Sequence, residues 1–96
     1  MTEADLQRAI VNAARQIGWF AKITSAWAKT RPHTRGLPDL YLSHRAKRRI
    51  VWIEVKPPSG GWDVTDEQRE FIDETNAAGG QAVVVDTLED ALEVLV

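Results

Sequence analysis

The chain has 96 residues, no cysteine, and 12 basic against 14 acidic residues, for a net charge of −2. That length builds one domain, residues 1–96, around a single modest core with little surplus stability. The lack of cysteine excludes disulfides and thiolate metal sites, no apolar run approaches a membrane span, and Met1–Asp5 does not read as a signal peptide, so a soluble, intracellular and cytoplasmic protein is expected.

Residues 3–17 place Leu6, Ile10, Ala13, Ala14 and Ile17 at helical spacing, with Thr2 as N-cap and Gly18 as the stop. Trp19–Thr24 alternates loosely and reads as a first strand, with Trp19 in the core. Ser25–Leu37 mixes Thr, Pro, His and Arg and reads as a loop. Pro38–Ser43 and Arg49–Lys56 form a hairpin joined by a basic turn, and Pro57–Gly61 breaks the second strand. Thr65-x-x-Gln68 has the form of a capping box opening a helix to about Ala78, with Phe71, Ile72 and Thr75 inward. Gly79-Gly80 stops it, Gln81–Val85 is a buried strand, and Thr87–Leu95 closes the chain as a helix with Leu88, Ala91, Leu92 and Leu95 on one side. The order αβββαβα gives an antiparallel hairpin followed by a strand–helix–strand crossover, right-handed by rule, that adds the fourth strand in parallel. The fold class is therefore α/β, a four-stranded mixed sheet flanked by helices.

Two carboxylates interrupt this pattern. Asp39 opens the apolar run Leu40-Tyr41-Leu42, and Glu54 sits inside Ile50-Val51-Trp52-Ile53-Glu54-Val55. Runs rich in β-branched residues are strands with much of their surface buried, and an ionised glutamate there is costly unless a cation compensates it. Glu54 and Lys56 share one face of the strand while Val55 anchors the other. With Asp39 on the neighbouring strand, the two carboxylates converge on one divalent ion, and oxygen-only ligands suit Mg²⁺ or Mn²⁺. Carboxylates, ion and lysine together are what metal-assisted phosphodiester cleavage requires.

Charge is divided along the chain. Residues 29–56 carry eight basic side chains against two acids, net +6, whereas residues 57–96 carry one against ten, net −9. The basic residues are Lys29, Arg31, Arg35, Arg45, Lys47, Arg48, Arg49 and Lys56, and the only acids among them are Asp39 and Glu54. Positive charge is thus expected around the site as a surface for DNA phosphates; a solvated basic hairpin is the plain alternative.

Pro38-Asp39 followed by Glu54-Val55-Lys56 resembles the PD-(D/E)xK nuclease signature. The ordered set Glu3, Arg35-Gly36-Leu37-Pro38-Asp39, Ile53-Glu54-Val55-Lys56 and Gln68 is closer still to its VRR-NUC branch, and the likeness spans residues 3 to about 86. The resemblance implies a restriction-endonuclease-like core. It implies Asp39, Glu54 and the backbone carbonyl of Val55 as metal ligands, with Glu3 ligating directly or through a water. Lys56 becomes the catalytic lysine, and Gln68 completes the site. It further implies a homodimer that cuts branched DNA such as four-way (Holliday) junctions, in the manner of a stand-alone, phage-encoded domain acting in a bacterial host.

Plain roles stand beside these. Glu3 can serve only the helix N-terminus, and Gln68 only the capping box, a role that could exclude the other. Arg35 can pair with Asp39 rather than with DNA. His33 and His44 are expected as solvated loop residues, and Ser59-Gly60-Gly61 as a linker turn. Trp52 is placed to wall the site or to pack under the first helix. Trp27 and Trp62 in loops point to a partner, either DNA or a second protomer. The function expected is a Mg²⁺- or Mn²⁺-dependent endodeoxyribonuclease; the alternative is a non-catalytic DNA-binding or assembly module that keeps the fold.

Overall fold

A computed structural model describes residues 1–24 and 36–96. Helix α1 (Glu3–Gln16) leads into strand β1 (Phe20–Ile23), then β2 (Leu40–His44), β3 (Arg49–Val55), helix α2 (Asp66–Ala77), β4 (Gln81–Val85) and helix α3 (Leu88–Leu95). The sheet order is β1-β2-β3-β4. The first two pairings are antiparallel and the third is parallel, with Leu40 opposite Ile53 and Glu54 opposite Val84. Element order and mixed pairing are those expected from the sequence.

Each helix starts on a threonine. Thr2 and Thr65 both form full capping boxes, with Asp5 and Gln68 as the returning partners, and Thr87 accepts from the Asp90 N–H. These caps satisfy amides that the first turn leaves without intrahelical partners. Ile17, expected inward, is instead the C-cap of α1 and 46% exposed, because the helix ends one residue earlier.

Strand alternation separates two faces. Leu40, Leu42, Val51, Ile53, Val55 and Val85 pack with Leu6, Ile10, Val11 and Ala14 of α1 and Ala91 and Leu95 of α3. On the other face α2 seats Ile72 and Phe71 over β3 and β4. Trp52 lies on this second face, edge-on to Tyr41 and Phe71 at 5.1 and 5.3 Å, so it packs under α2 rather than under the first helix. His44 is also not a loop residue. It ends β2, with its ring edge-on to Trp19 at 5.2 Å.

Candidate active site

Asp39 and Glu54 meet at the end of the sheet where β2 begins and β3 finishes. Beyond Leu40 the β2 strand has stopped, so the Val55 N–H has no ladder carbonyl; it donates to Asp39 Oδ2 at 3.0 Å instead. The Asp39 side chain thereby continues the ladder and aims its carboxylate across β3. Glu54 is 4% exposed, with Val55 fully buried beyond it as the anchor expected from the alternation.

Backbone contacts hold the turn before Asp39. Thr24, buried at the end of β1, donates its N–H to the Asp39 carbonyl at 2.7 Å and its hydroxyl to the Pro38 carbonyl at 2.5 Å. Gly36 has φ +83° and runs so close to α2 that a Cβ would stand 2.4 Å from the Glu67 carbonyl oxygen. Only glycine fits there, which explains why a glycine stands three residues before the aspartate. Thr24 was not singled out from the sequence, since a threonine ending a strand looks the same whether it faces solvent or grips a turn. Replacing it with valine keeps the shape and leaves the Pro38 carbonyl without that donor. We expect Thr24→Val to lower stability by about 1–2 kcal/mol in urea unfolding, with Thr24→Ser close to wild type.

From the other side the site is closed by Lys56 and Gln68. Lys56 Nζ lies 3.6 Å from Glu54 Oε2 and donates to Gln68 Oε1 at 3.1 Å. Gln68 Nε2 donates to Glu54 Oε2 at 3.1 Å, while its Oε1 also accepts the Thr65 N–H at 3.0 Å. The two roles considered for Gln68 are therefore compatible: one oxygen serves both cap and lysine, and the amide nitrogen remains for the glutamate.

The electrostatics follow from this crowding. Burial, then the adjoining Asp39 carboxylate, push Glu54 up to about 8, with Lys56 opposing. Glu3, at the start of α1, is raised by burial and by Asp39, against the pull of Lys56, so its carboxyl senses both groups. Among the described residues no three acidic or histidine side chains gather closely enough to hold an ion by themselves. Glu54 Oε1 is buried and has no hydrogen-bond partner. A buried carboxylate oxygen left open beside a second carboxylate fits a hard divalent cation, which prefers oxygen donors and would relieve the repulsion between them.

The basic cluster is split. Lys29, Arg31 and Arg35, with Trp27 and His33, lie outside the described residues. Arg45, Lys47 and Arg48 are exposed in the β2–β3 turn, at the opposite end of the sheet from Asp39. Glu54 lies five residue steps along β3 from Arg49, roughly 17 Å at the usual rise. The expectation that positive charge surrounds the carboxylates fails for this turn, because an antiparallel hairpin carries its loop away from the strand ends. Arg49 is used internally. Its Nη2 donates to Gln81 Oε1 at 2.6 Å and to the Val94 carbonyl at 2.7 Å, and its guanidinium stands 5.3 Å from the centre of the Trp19 ring. Trp62 is 38% exposed, its indole nitrogen 3.4 Å from Asp86 Oδ2.

The VRR-NUC domain family matches residues 1–87. No curated protein matches the chain. A solved structure described as a VRR-NUC domain superposes with a TM-score of 0.76 over 99% of this chain and 96% of its own, at 16% identity. A second, described as a VRR-NUC domain protein, gives 0.69 over 99% and 85%, at 22% identity. At these identities the likeness is one of fold. Among the described residues no helix is long and apolar enough to cross a membrane.

Proposed function

The chain belongs to the VRR-NUC domain family, whose function is of nuclease type, and from that premise we propose that it is a metal-dependent endonuclease hydrolysing phosphodiester bonds in DNA. The observation that carries the reading is the buried Glu54 carboxylate, with one oxygen open, beside the half-buried Asp39 and with an ammonium alongside. A module that merely binds polyanions has no use for a buried glutamate set against a second carboxylate, and their mutual repulsion only costs it stability.

In this reading Asp39, Glu54 and the Val55 carbonyl hold Mg²⁺ or Mn²⁺, with Glu3 reaching it directly or through a water. When bound, the ion supplies Lewis acidity towards the phosphate and lowers the cost of deprotonating water. Lys56 stabilises charge developing on the phosphate oxygens or orients the attacking water. Gln68 keeps the ammonium and the Glu54 carboxylate in register by bonding both. The Val55 N–H fixes one Asp39 oxygen, leaving the other for the ion. Arg35, immediately before Gly36 in the chain, and Lys29 and Arg31 further upstream, are proposed to contact substrate phosphates.

Branched DNA, with four-way junctions foremost, and a homodimer complete the proposal. One such site cuts one strand, so symmetric nicks at a junction need two copies related by a two-fold axis. Calorimetric titration with Mn²⁺ should give binding to the wild type and none to Asp39→Asn. Light scattering on a junction complex in Ca²⁺ should give the mass of two chains. Equal Mn²⁺ binding by both proteins would remove the metal assignment, and a single chain per junction would remove the resolving role.

A further inference from the structure

We propose that the β2–β3 turn is a second substrate contact, in which Arg45, Lys47 and Arg48 grip the phosphate backbone of a duplex arm remote from the bond that is cut. This rests on the nuclease reading above and extends it to where the substrate must reach.

The turn is built rather than loose. His44 Nδ1 accepts the Lys47 N–H at 3.1 Å, Arg48 N–H donates to the Arg45 carbonyl at 3.2 Å, and the His44 ring is pinned edge-on to Trp19. Arg49 ties the base of the hairpin to β4 and α3. On that base three exposed cations occupy four residues, and among the described residues neither ion pair involves them. A bare cluster of like charge raises the energy of the folded protein by self-repulsion and suits a polyanion.

A second observation points the same way. Arg48 is the one described non-glycine residue with positive φ, at +57°. A short hairpin loop built on a type I turn commonly calls for one left-handed residue, but glycine or asparagine would take that position at less cost than the arginine found there. A shallow cleft lined by Arg48, Ile50, Gly79 and Gly80 opens beside it. Arg49, at the base of the turn, stands roughly 17 Å along β3 from Glu54, which corresponds to about five base pairs of B-form duplex. The substrate this selects has a duplex arm extending at least that far from the scissile phosphate.

The test is fluorescence anisotropy with a labelled junction in EDTA, where cleavage plays no part, at several salt concentrations. Arg48→Asn should melt about 2–5 °C above the wild type, because the strain is relieved, and yet bind less tightly. It should lower the slope of log K against log salt by about one, and the triple change Arg45→Gln, Lys47→Gln, Arg48→Asn by about two to three. An unchanged salt slope on long arms overturns the proposal, whether or not the wild type cleaves DNA. An unchanged slope together with loss of the dimer in light scattering overturns it in favour of a contact with an acidic protein surface. Loss of metal-dependent cutting in Asp39→Asn with the salt result intact leaves both readings standing; a wild type that never cuts removes only the nuclease reading.

Discussion

Glu54→Gln should make the metal-free protein more stable at pH 8–9 while destroying its activity. The folded protein keeps a proton on Glu54 up to about pH 8, whereas the unfolded chain releases it near the ordinary value of 4.5. Stability from this group is complete below about pH 4.5, declines as pH rises, and is fully lost above about 8. The interval corresponds to several kcal/mol, each unit being worth about 1.4 kcal/mol. Glutamine fills the same space without a charge, so the variant should show a flat stability profile over this range where the wild type falls. Divalent cation should restore the wild type, most strongly at alkaline pH, because the ion competes with the proton for the same oxygen. Chemical unfolding at pH 5, 7 and 9, with and without Mn²⁺, measures all of this. A wild type whose stability does not fall between pH 5 and 9 would mean that Glu54 is not held as described.

Lys56→Ala should reduce cleavage by at least about 10²–10³-fold, the usual cost of deleting one charge aimed at a developing oxyanion. The ammonium is fixed by two partners, Gln68 Oε1 and Glu54 Oε2, and has little freedom to be replaced by a neighbouring cation. DNA binding in Ca²⁺ should change little, since the phosphates are met mainly by other basic residues. Because Lys56 also lowers the Glu54 pKa, its loss should move the pH at which Mn²⁺ binds upward. A variant with normal binding, unchanged pH dependence and normal cutting would take Lys56 out of the chemistry.

Much of this was legible in the chain. The αβββαβα order followed from the hydrophobic periods and from Gly18, Pro57-Pro58 and Gly79-Gly80. The Glu54–Lys56 face followed from the two-residue repeat of a strand, and Glu54 announced itself as a charge inside an apolar run. What stayed hidden depends on three-dimensional closure. Counting charge in a window of residues 29–56 placed the hairpin cations beside the carboxylates, although the strands take them to the other end of the sheet. Thr24 grips Pro38 and Asp39 from 14 and 15 residues away, a pairing no local pattern encodes. Gln68 was legible as a cap. Its place in the site came from the family resemblance alone; what no local pattern gave is that α2 lies over β3 so that the amide nitrogen reaches Glu54 while the oxygen still serves the cap. Arg49 was grouped with its basic neighbours in sequence, yet one step into the strand turned it towards Gln81 and Val94.

The central claim is that Asp39 and Glu54 form a divalent-cation site for phosphodiester hydrolysis. Its most direct test is cleavage of end-labelled DNA by purified protein with Mg²⁺, Mn²⁺ or EDTA, comparing four-way junction, flap, linear duplex and single strand, with Asp39→Asn as the control. Paired nicks near the junction centre that need the metal and vanish in Asp39→Asn are the result expected. DNA binding without metal-dependent cutting, or equal cutting by Asp39→Asn, would contradict it.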